Sequence, residues 1–273
     1  LLINKNYKRG KMTTILDKIV DKTKERLSNL KSKCSVKEME KLARNYTGEK
    51  FLFENALKQD SISFICEVKK ASPSKGIISE DFPYVKIARD YEEAGASAIS
   101  VLTEPYFFLG SDEYLSEIAK NVKIPLLRKD FTIDEYQIYE AKIIGAGAVL
   151  LICSILDESR LAEFIALADS LGMSALVEAH DEDEISKALM AGARIVGVNN
   201  RNLKTFDVDL NNSLRLRKFV PDNVLFVSES GIKTPEDIKI LKENRVDAVL
   251  IGETFMRSSN KADVLKGLRG GAM

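Results

Sequence analysis

Short apolar runs recur along the chain, and most of them stop at a charged or amide side chain. Ile65-Cys66-Glu67-Val68-Lys69 is one and Ile124-Pro125-Leu126-Leu127-Arg128-Lys129-Asp130 another. Ala175-Leu176-Val177-Glu178, Ile195-Val196-Gly197-Val198-Asn199 and Leu225-Phe226-Val227-Ser228-Glu229 follow, while Ala248-Val249-Leu250-Ile251 runs into Gly252. Such runs predict strands near 64–69, 98–102, 124–128, 148–152, 175–178, 195–199, 225–229 and 248–251. Amphipathic spacing predicts helices near 83–94, 112–120, 134–144, 158–171, 182–191, 211–219, 235–243 and 261–269. Three helix-to-strand junctions resemble one another: Glu93-Ala94-Gly95-Ala96, Ile144-Gly145-Ala146-Gly147 and Ala191-Gly192-Ala193 each put glycine where a helix ends in the left-handed conformation. The repeat length, roughly 20–35 residues, is that of one βα unit. Ahead of the repeat, Ile15, Leu16, Ile19, Val20, Leu27 and Leu30 have helical spacing, with Thr13 or Thr14 as N-cap. A second helical stretch carries Met39, Leu42, Ala43 and Tyr46 and stops near Gly48.

Strands alternating with helices imply a parallel sheet. The even number of strands and the spread of polar strand ends along the whole chain favour a closed barrel. An open doubly wound sheet would gather its site at one switch point. The expected architecture is α/β: a single (β/α)8 TIM barrel over residues 12–273, with 12–61 as an N-terminal helical extension. Met12 offers a natural start, and residues 1–11 are read as an upstream extension or cloning remnant without the layout of a signal peptide.

Composition narrows the function classes. Lys+Arg and Asp+Glu are equal at 41 each, so no net field draws nucleic acid or an anionic membrane. The longest apolar stretch, near Ala148–Cys153, is too short to span a bilayer. Cys34, Cys66 and Cys153 fit neither a zinc spacing nor a disulfide framework, which points to reduced thiols in the cytoplasm. Cys66 has the opposite parity to its neighbours and should face the helix layer. His180 is the single histidine, so His-rich metal sites are out, a Ser-His-Asp triad is disfavoured, and acid–base chemistry must rest on Lys, Glu, Asp or Tyr. His180 itself reads as a loop-packing residue. The run Asp181-Glu182-Asp183-Glu184 reads as a helix start that complements the dipole rather than a metal site.

Side chains two apart on a strand share a face. In a barrel, the inward parity gathers Glu67, Lys69, Lys129, Glu178, Asn199 and Glu229 around one mouth, where active sites of this fold sit. Burial and mutual attraction should pull their pKa values, making a lysine a usable acid and a glutamate a usable base near neutrality. Ser230-Gly231 follows the seventh strand, and Gly252-Glu253-Thr254 follows the eighth and opens a helical turn. Those two loops form the usual phosphate grip of the fold through backbone N–H groups, which leaves the Glu253 side chain to point to solvent. Ser72-Pro73-Ser74-Lys75-Gly76 is read as a polar flexible loop over the mouth, and Phe131 with Tyr106-Phe107-Phe108 as a possible wall for an aromatic substrate.

With those residues in view, the sequence closely resembles the indole-3-glycerol phosphate synthase family from about Ile15 to Arg269. The resemblance is carried by 67–76 (EVKKASPSKG), 100–104 (SVLTE), 127–131 (LRKDF), 176–180 (LVEAH), 197–203 (GVNNRNL) and 228–232 (SESGI). It implies ring closure of 1-(2-carboxyphenylamino)-1-deoxyribulose 5-phosphate to indole-3-glycerol phosphate, with loss of carbon dioxide and water, in tryptophan biosynthesis. No metal or organic cofactor is implied. The resemblance makes Lys129 the general acid, Glu178 the base of the dehydration and Lys69 the holder of the substrate anion and a second proton donor. Glu67 and Asn199 would orient the lysines and sugar hydroxyls. Ser72 and Arg201 would meet the anthranilate carboxylate, with Phe131 against the ring. Glu229 and Ser230 would border the sugar, while Gly231, Leu250, Gly252 and Glu253 form the phosphate end. The expected partner is a phosphorylated small molecule, with neither nucleic acid nor membrane, and the chain a monomer or weak oligomer. Competing readings are a Schiff-base aldolase using Lys129 or Lys69 as nucleophile, a sister barrel of the phosphoribosylanthranilate isomerase kind, and a non-catalytic barrel that binds a phosphate ligand.

Overall fold

Parallel pairing of the predicted strands closes on itself. In the computed structural model, which describes residues 14–202, 205–258 and 260–270, the strands are β1 (Ser63–Val68), β2 (Ala98–Leu102), β3 (Leu126–Lys129), β4 (Ala148–Ile152), β5 (Ser174–Ala179), β6 (Ile195–Asn199), β7 (Leu225–Glu229) and β8 (Ala248–Ile251). Each pairs with its sequence neighbours, and β1 completes the ring by pairing with both β2 and β8 at Ile65, opposite Ala98 and Leu250. The chain is therefore a (β/α)8 barrel, as expected. Residues 1–11, Met12 and the alternative cap Thr13 lie outside the described residues.

The inward and outward parities separate two cores. Cys66, Val101, Val149, Val177, Val198 and Phe226 pack outward beneath the helices. Ile65, Leu127, Leu150, Leu176, Ile195, Val227 and Leu250 fill the barrel interior. Cys66 thus faces the helix layer, and the next inward position after Ile65, Leu127, Leu176 and Val227 is Glu67, Lys129, Glu178 and Glu229. The helical layer comprises α4 (Tyr84–Glu93), α5 (Asp112–Ala119), α6 (Glu135–Ile143), α7 (Glu158–Ser170), α8 (Glu182–Met190), α9 (Asn211–Arg217), α10 (Pro235–Glu243), the single turn α11 (Glu253–Met256) and α12 (Lys261–Leu268). Gly95, Gly145 and Gly192 adopt φ of +89°, +95° and +88°, as the helix ends required.

Three helices precede the barrel: α1 (Ile15–Lys33), α2 (Val36–Asn45) and α3 (Leu52–Leu57). Thr14 and Asp17 form a capping box on α1. Arg26 of that helix donates to Asp130 Oδ2 at 2.6 Å and Lys31 to Asp134 Oδ2 at 2.7 Å. These bonds lay α1 across the carboxyl ends of the strands. The third helix was not expected from the sequence. It is short, has no side-chain cap, and starts from Phe51 in the left-handed region at φ 56°. Its Phe53 and Leu57 plug the amino end of the barrel as part of the interior core. Each buried plug residue contributes roughly 1.5–3 kcal/mol. Strand ends differ from expectation by a residue or two. The clearest case is β3, which begins after Pro125, a residue with no N–H for the ladder, and runs on to include Lys129.

Candidate active site

The polar strand ends enclose a cavity of about 650 Å³. Its floor is apolar, with Leu150, Ile152 and Leu250, and α1 contributes Ile15, Leu16 and Ile19 to its rim. All fourteen residues picked from the sequence line it: Glu67, Lys69, Ser72, Lys129, Phe131, Glu178, Asn199, Arg201, Glu229, Ser230, Gly231, Leu250, Gly252 and Glu253.

At the centre, the Lys129 ammonium donates to Glu178 Oε2 and to Glu229 Oε2, at 3.0 Å each. One cation from β3 thus serves carboxylates from β5 and β7. Asn199 Nδ2 reaches Glu178 Oε1 at 3.4 Å. Beside them Lys69 donates to Glu67 Oε2 at 2.5 Å, and Ser100 Oγ reaches Glu67 Oε1 at 3.4 Å. Two glycines leave the room these groups occupy. A Cβ on Gly197 would overlap Glu229 Oε1, and one on Gly252 would lie 2.5 Å from Glu67 Oε2 and 3.0 Å from Lys69 Nζ.

The electrostatics correct the expected drift toward neutrality. Burial works against the Lys129 charge, but Glu178 and Glu229 outweigh it and hold the ammonium above its usual range. Burial alone would raise Glu178, yet Lys129 and then His180 hold it below the ordinary carboxylate value. Glu229 does move toward neutrality: burial, against the pull of Lys129 and with the repulsion of Glu178, pushes it up to about 7. One ammonium between two dry carboxylates stabilises the first fully and leaves the second undercompensated.

Around this centre the loops depart in part from the arrangement expected. The segment after β1 is a small antiparallel hairpin, Ala71–Ser72 against Gly76–Ile77, with Gly76 at φ +64° where the chain leaves the turn. It buries Ser72 and brings Lys75 to 3.7 Å from Glu253 Oε1. The Glu253 side chain keeps a third of its surface exposed at the rim, where it accepts from Arg257 Nε at 3.1 Å. Ser230 and Gly231 are both left-handed, at φ 68° and 86°, a conformation that glycine takes freely and that strains Ser230 where the chain leaves β7. Of the aromatic cluster only Phe108 joins Phe131 in the lining, their rings 6.1 Å apart, while Tyr106 is exposed. Asp181 accepts from the Glu184 N–H as the cap of α8, so the acidic run starts a helix as expected.

Two residues escaped the sequence reading. Asp130, next to Lys129, is fully buried and holds the turn by accepting from the Phe131 N–H at 2.8 Å, from Thr103 Oγ1 at 3.1 Å and from Arg26. Its partner Arg26 lies 104 residues away, so no local pattern marks it. His180 is not simple loop packing, because its ring reaches Glu178 from outside the cavity at 3.4 Å.

The family model for indole-3-glycerol phosphate synthase matches residues 16–268. The chain belongs to this family. It is 60% identical over 259 residues to the indole-3-glycerol phosphate synthase of Ruminiclostridium cellulolyticum, covering 94% of this chain and 100% of that one. It is 59% identical over 256 residues to that of Endomicrobium trichonymphae, covering 93% and 99%. Its fold is also similar to a crystal structure of 3-hexulose-6-phosphate synthase, with TM-score 0.63 at 16% identity over 77% of this chain and 99% of that one. At so low an identity the likeness concerns the barrel alone. Among the described residues no helix is long and apolar enough to cross a membrane, and a synthase of this family acts on a phosphorylated small molecule.

Proposed function

We propose that Lys129 is the acid and Glu178 the base of the reaction this chain catalyses, the ring closure of 1-(2-carboxyphenylamino)-1-deoxyribulose 5-phosphate to indole-3-glycerol phosphate with loss of carbon dioxide and water. The observation that carries the assignment is the Lys129 ammonium held 3.0 Å from both Glu178 and Glu229 at the centre of the cavity. A substrate carbonyl oxygen entering there meets a donor already protonated and already aimed.

The steps follow from bond changes. The anthranilate ring carbon bonds to the ribulose carbonyl carbon while Lys129 gives its proton to the carbonyl oxygen. The dearomatised ring then regains its electrons as carbon dioxide leaves. Dehydration needs a proton on the departing hydroxyl, given by Lys69, and removal of a proton from the neighbouring carbon by Glu178. Two protons are given and one is taken, which matches conversion of an ionised carboxylate into carbon dioxide. Glu67 and Asn199 orient the two working groups through their bonds to Lys69 and Glu178. Ser72 and Arg201 suit the anthranilate carboxylate, Phe131 its ring, and Glu229 with Ser230 the sugar. Gly231, Leu250, Gly252 and Glu253 form the phosphate end, where main-chain N–H groups serve and Lys75 and Arg257 offset the Glu253 charge. A cytoplasmic setting fits the three free cysteines.

The test is Lys129→Ala assayed by formation of indole absorbance. The expected kcat is lower by about 10²–10⁴-fold with KM little changed; near-normal turnover would remove Lys129 as the acid. A Schiff-base mechanism requires a neutral lysine, whereas the carboxylates around Lys129 keep it charged. Borohydride in the presence of substrate should therefore trap no adduct on Lys129.

A further inference from the structure

The loop between β5 and α8 places the chain's single histidine behind Glu178, outside the cavity lining. Glu184 of α8 holds this ring in a fixed orientation: its Oε2 is 3.0 Å from His180 Nδ1 and also accepts from the His180 backbone N–H at 2.8 Å. The opposite ring nitrogen, Nε2, is buried, lies 3.4 Å from Glu178 Oε1, and makes no hydrogen bond among the described residues. Nδ1 facing a carboxylate carries a proton. A neutral ring would then aim the Nε2 lone pair at a second carboxylate in a dry setting, a repulsive arrangement. A proton on Nε2 turns the same contact into attraction.

We propose that His180 is the positioning residue of Glu178: as an imidazolium clamped by Glu184, it faces Oε1 and keeps the carboxylate ionised and turned toward Lys129 and Asn199. The proposal rests on Glu178 being the base. The charged groups facing the ring come from three elements, Glu178 on β5, Glu184 on α8 and Glu229 on β7. The Lys129 cation lies on the far side of Glu178, and Lys187, on the next turn of α8, donates to the Cys153 carbonyl at 2.8 Å. Burial opposes a charge on the ring, but the bond to Glu184 and the attraction of Glu178 prevail and raise it above its ordinary 6.5. The role differs from that of the cavity residues, since His180 acts through Glu178 without touching substrate.

A lone histidine makes the test direct, because the imidazole signals of the protein freed of any affinity tag report one residue. We expect an NMR titration midpoint above 6.5 in the wild type, lowered in Glu184→Gln and in Glu178→Gln. A wild-type midpoint at or below 6.5, or one that Glu178→Gln leaves unmoved, would overturn the proposal. In kinetics, His180→Gln should lower kcat about tenfold or more with KM within about twofold. It should also shift the acidic limb of kcat/KM to higher pH, because Glu178 becomes more basic once the imidazolium is gone. An unmoved limb counts against the proposal, and the titrations decide even if that variant folds poorly. If Glu178→Gln keeps wild-type turnover while the His180 midpoint still moves, the base assignment fails and the electrostatic coupling stands.

Discussion

Replacing Glu229 by glutamine should change how stability depends on pH, by an amount set by the surroundings of that carboxyl. Glu229 is 2% exposed, its Oε2 shares the Lys129 ammonium with Glu178, and its Oε1 has no hydrogen-bond partner among the described residues. Burial leads the causes that push it from the ordinary 4.5 to about 7. Between those values the native protein keeps a proton that the unfolded chain has released. Stability therefore falls as pH rises through the window, and the loss is complete above about 7. At about 1.4 kcal/mol per pH unit, the loss comes to about 3 kcal/mol. Glutamine has the shape of the neutral carboxyl and cannot ionise, so Glu229→Gln removes the penalty. The measurement is equilibrium urea unfolding of both proteins at intervals from pH 5 to pH 8, followed by circular dichroism. The useful quantity is the difference between the two free energies, in which the titrating groups remote from Glu229, Glu178 and Lys129 cancel. It should move in favour of the variant by about 2.5 kcal/mol across the range, since the foot of the window lies below pH 5. Two parallel profiles would show that Glu229 is ionised throughout and that the argument from a shared ammonium is wrong.

Other substitutions probe the supports of the cavity. Gly252→Ala places a methyl 2.5 Å from Glu67 Oε2 and 3.0 Å from Lys69 Nζ, so both side-chain ends must shift. Thermal stability should fall by no more than about 1–3 kcal/mol while kcat/KM drops at least about tenfold; intact kinetics would show that the space at Gly252 does not set the Glu67–Lys69 geometry. Arg26→Ala removes the 2.6 Å bond that ties α1 to buried Asp130, leaving its Oδ2 with Thr103 at 3.1 Å and Arg128 at 3.6 Å. It should cost about 2–3 kcal/mol, as expected for a lost charge-assisted bond, and open α1 to limited proteolysis. Unchanged cleavage of α1 would mean that its apolar contacts and the Lys31–Asp134 bond suffice to hold it on the mouth.

The repeat was legible because its signals are local. Alternation along Glu67-Val68-Lys69 or Leu176-Val177-Glu178 already states which side chains face inward, and the glycines at 95, 145 and 192 mark helix ends without outside help. What the sequence hid depends on partners far along the chain. The short α3 is helical because the barrel needs its amino end filled by Phe53 and Leu57, not because of a cap or a long periodic run. Asp130 looks like any turn aspartate until Arg26 closes on it. The direction of the lysine shift was missed for a similar reason. Burial was foreseeable from parity, but the sum over Glu178, Glu229 and Glu67 requires their distances to Lys129. His180 was set aside because position alone does not reveal that its ring bridges two carboxylates.

The sharing of Lys129 between β5 and β7 also bears on how this pocket can change over evolutionary time or in a designer's hands. Substituting the lysine strands two buried carboxylates, and substituting either carboxylate alters the proton affinity of the other. Effects at such coupled positions do not add. Alanine scanning would therefore assign the same free energy several times over. Grafting Lys129 alone onto another phosphate-binding barrel would import an uncompensated charge rather than a catalyst. Lys129, Glu178 and Glu229 form one heritable unit spread over three strands, and a new activity on this scaffold is reached more readily by remodelling the loops around that unit than by exchanging its members singly.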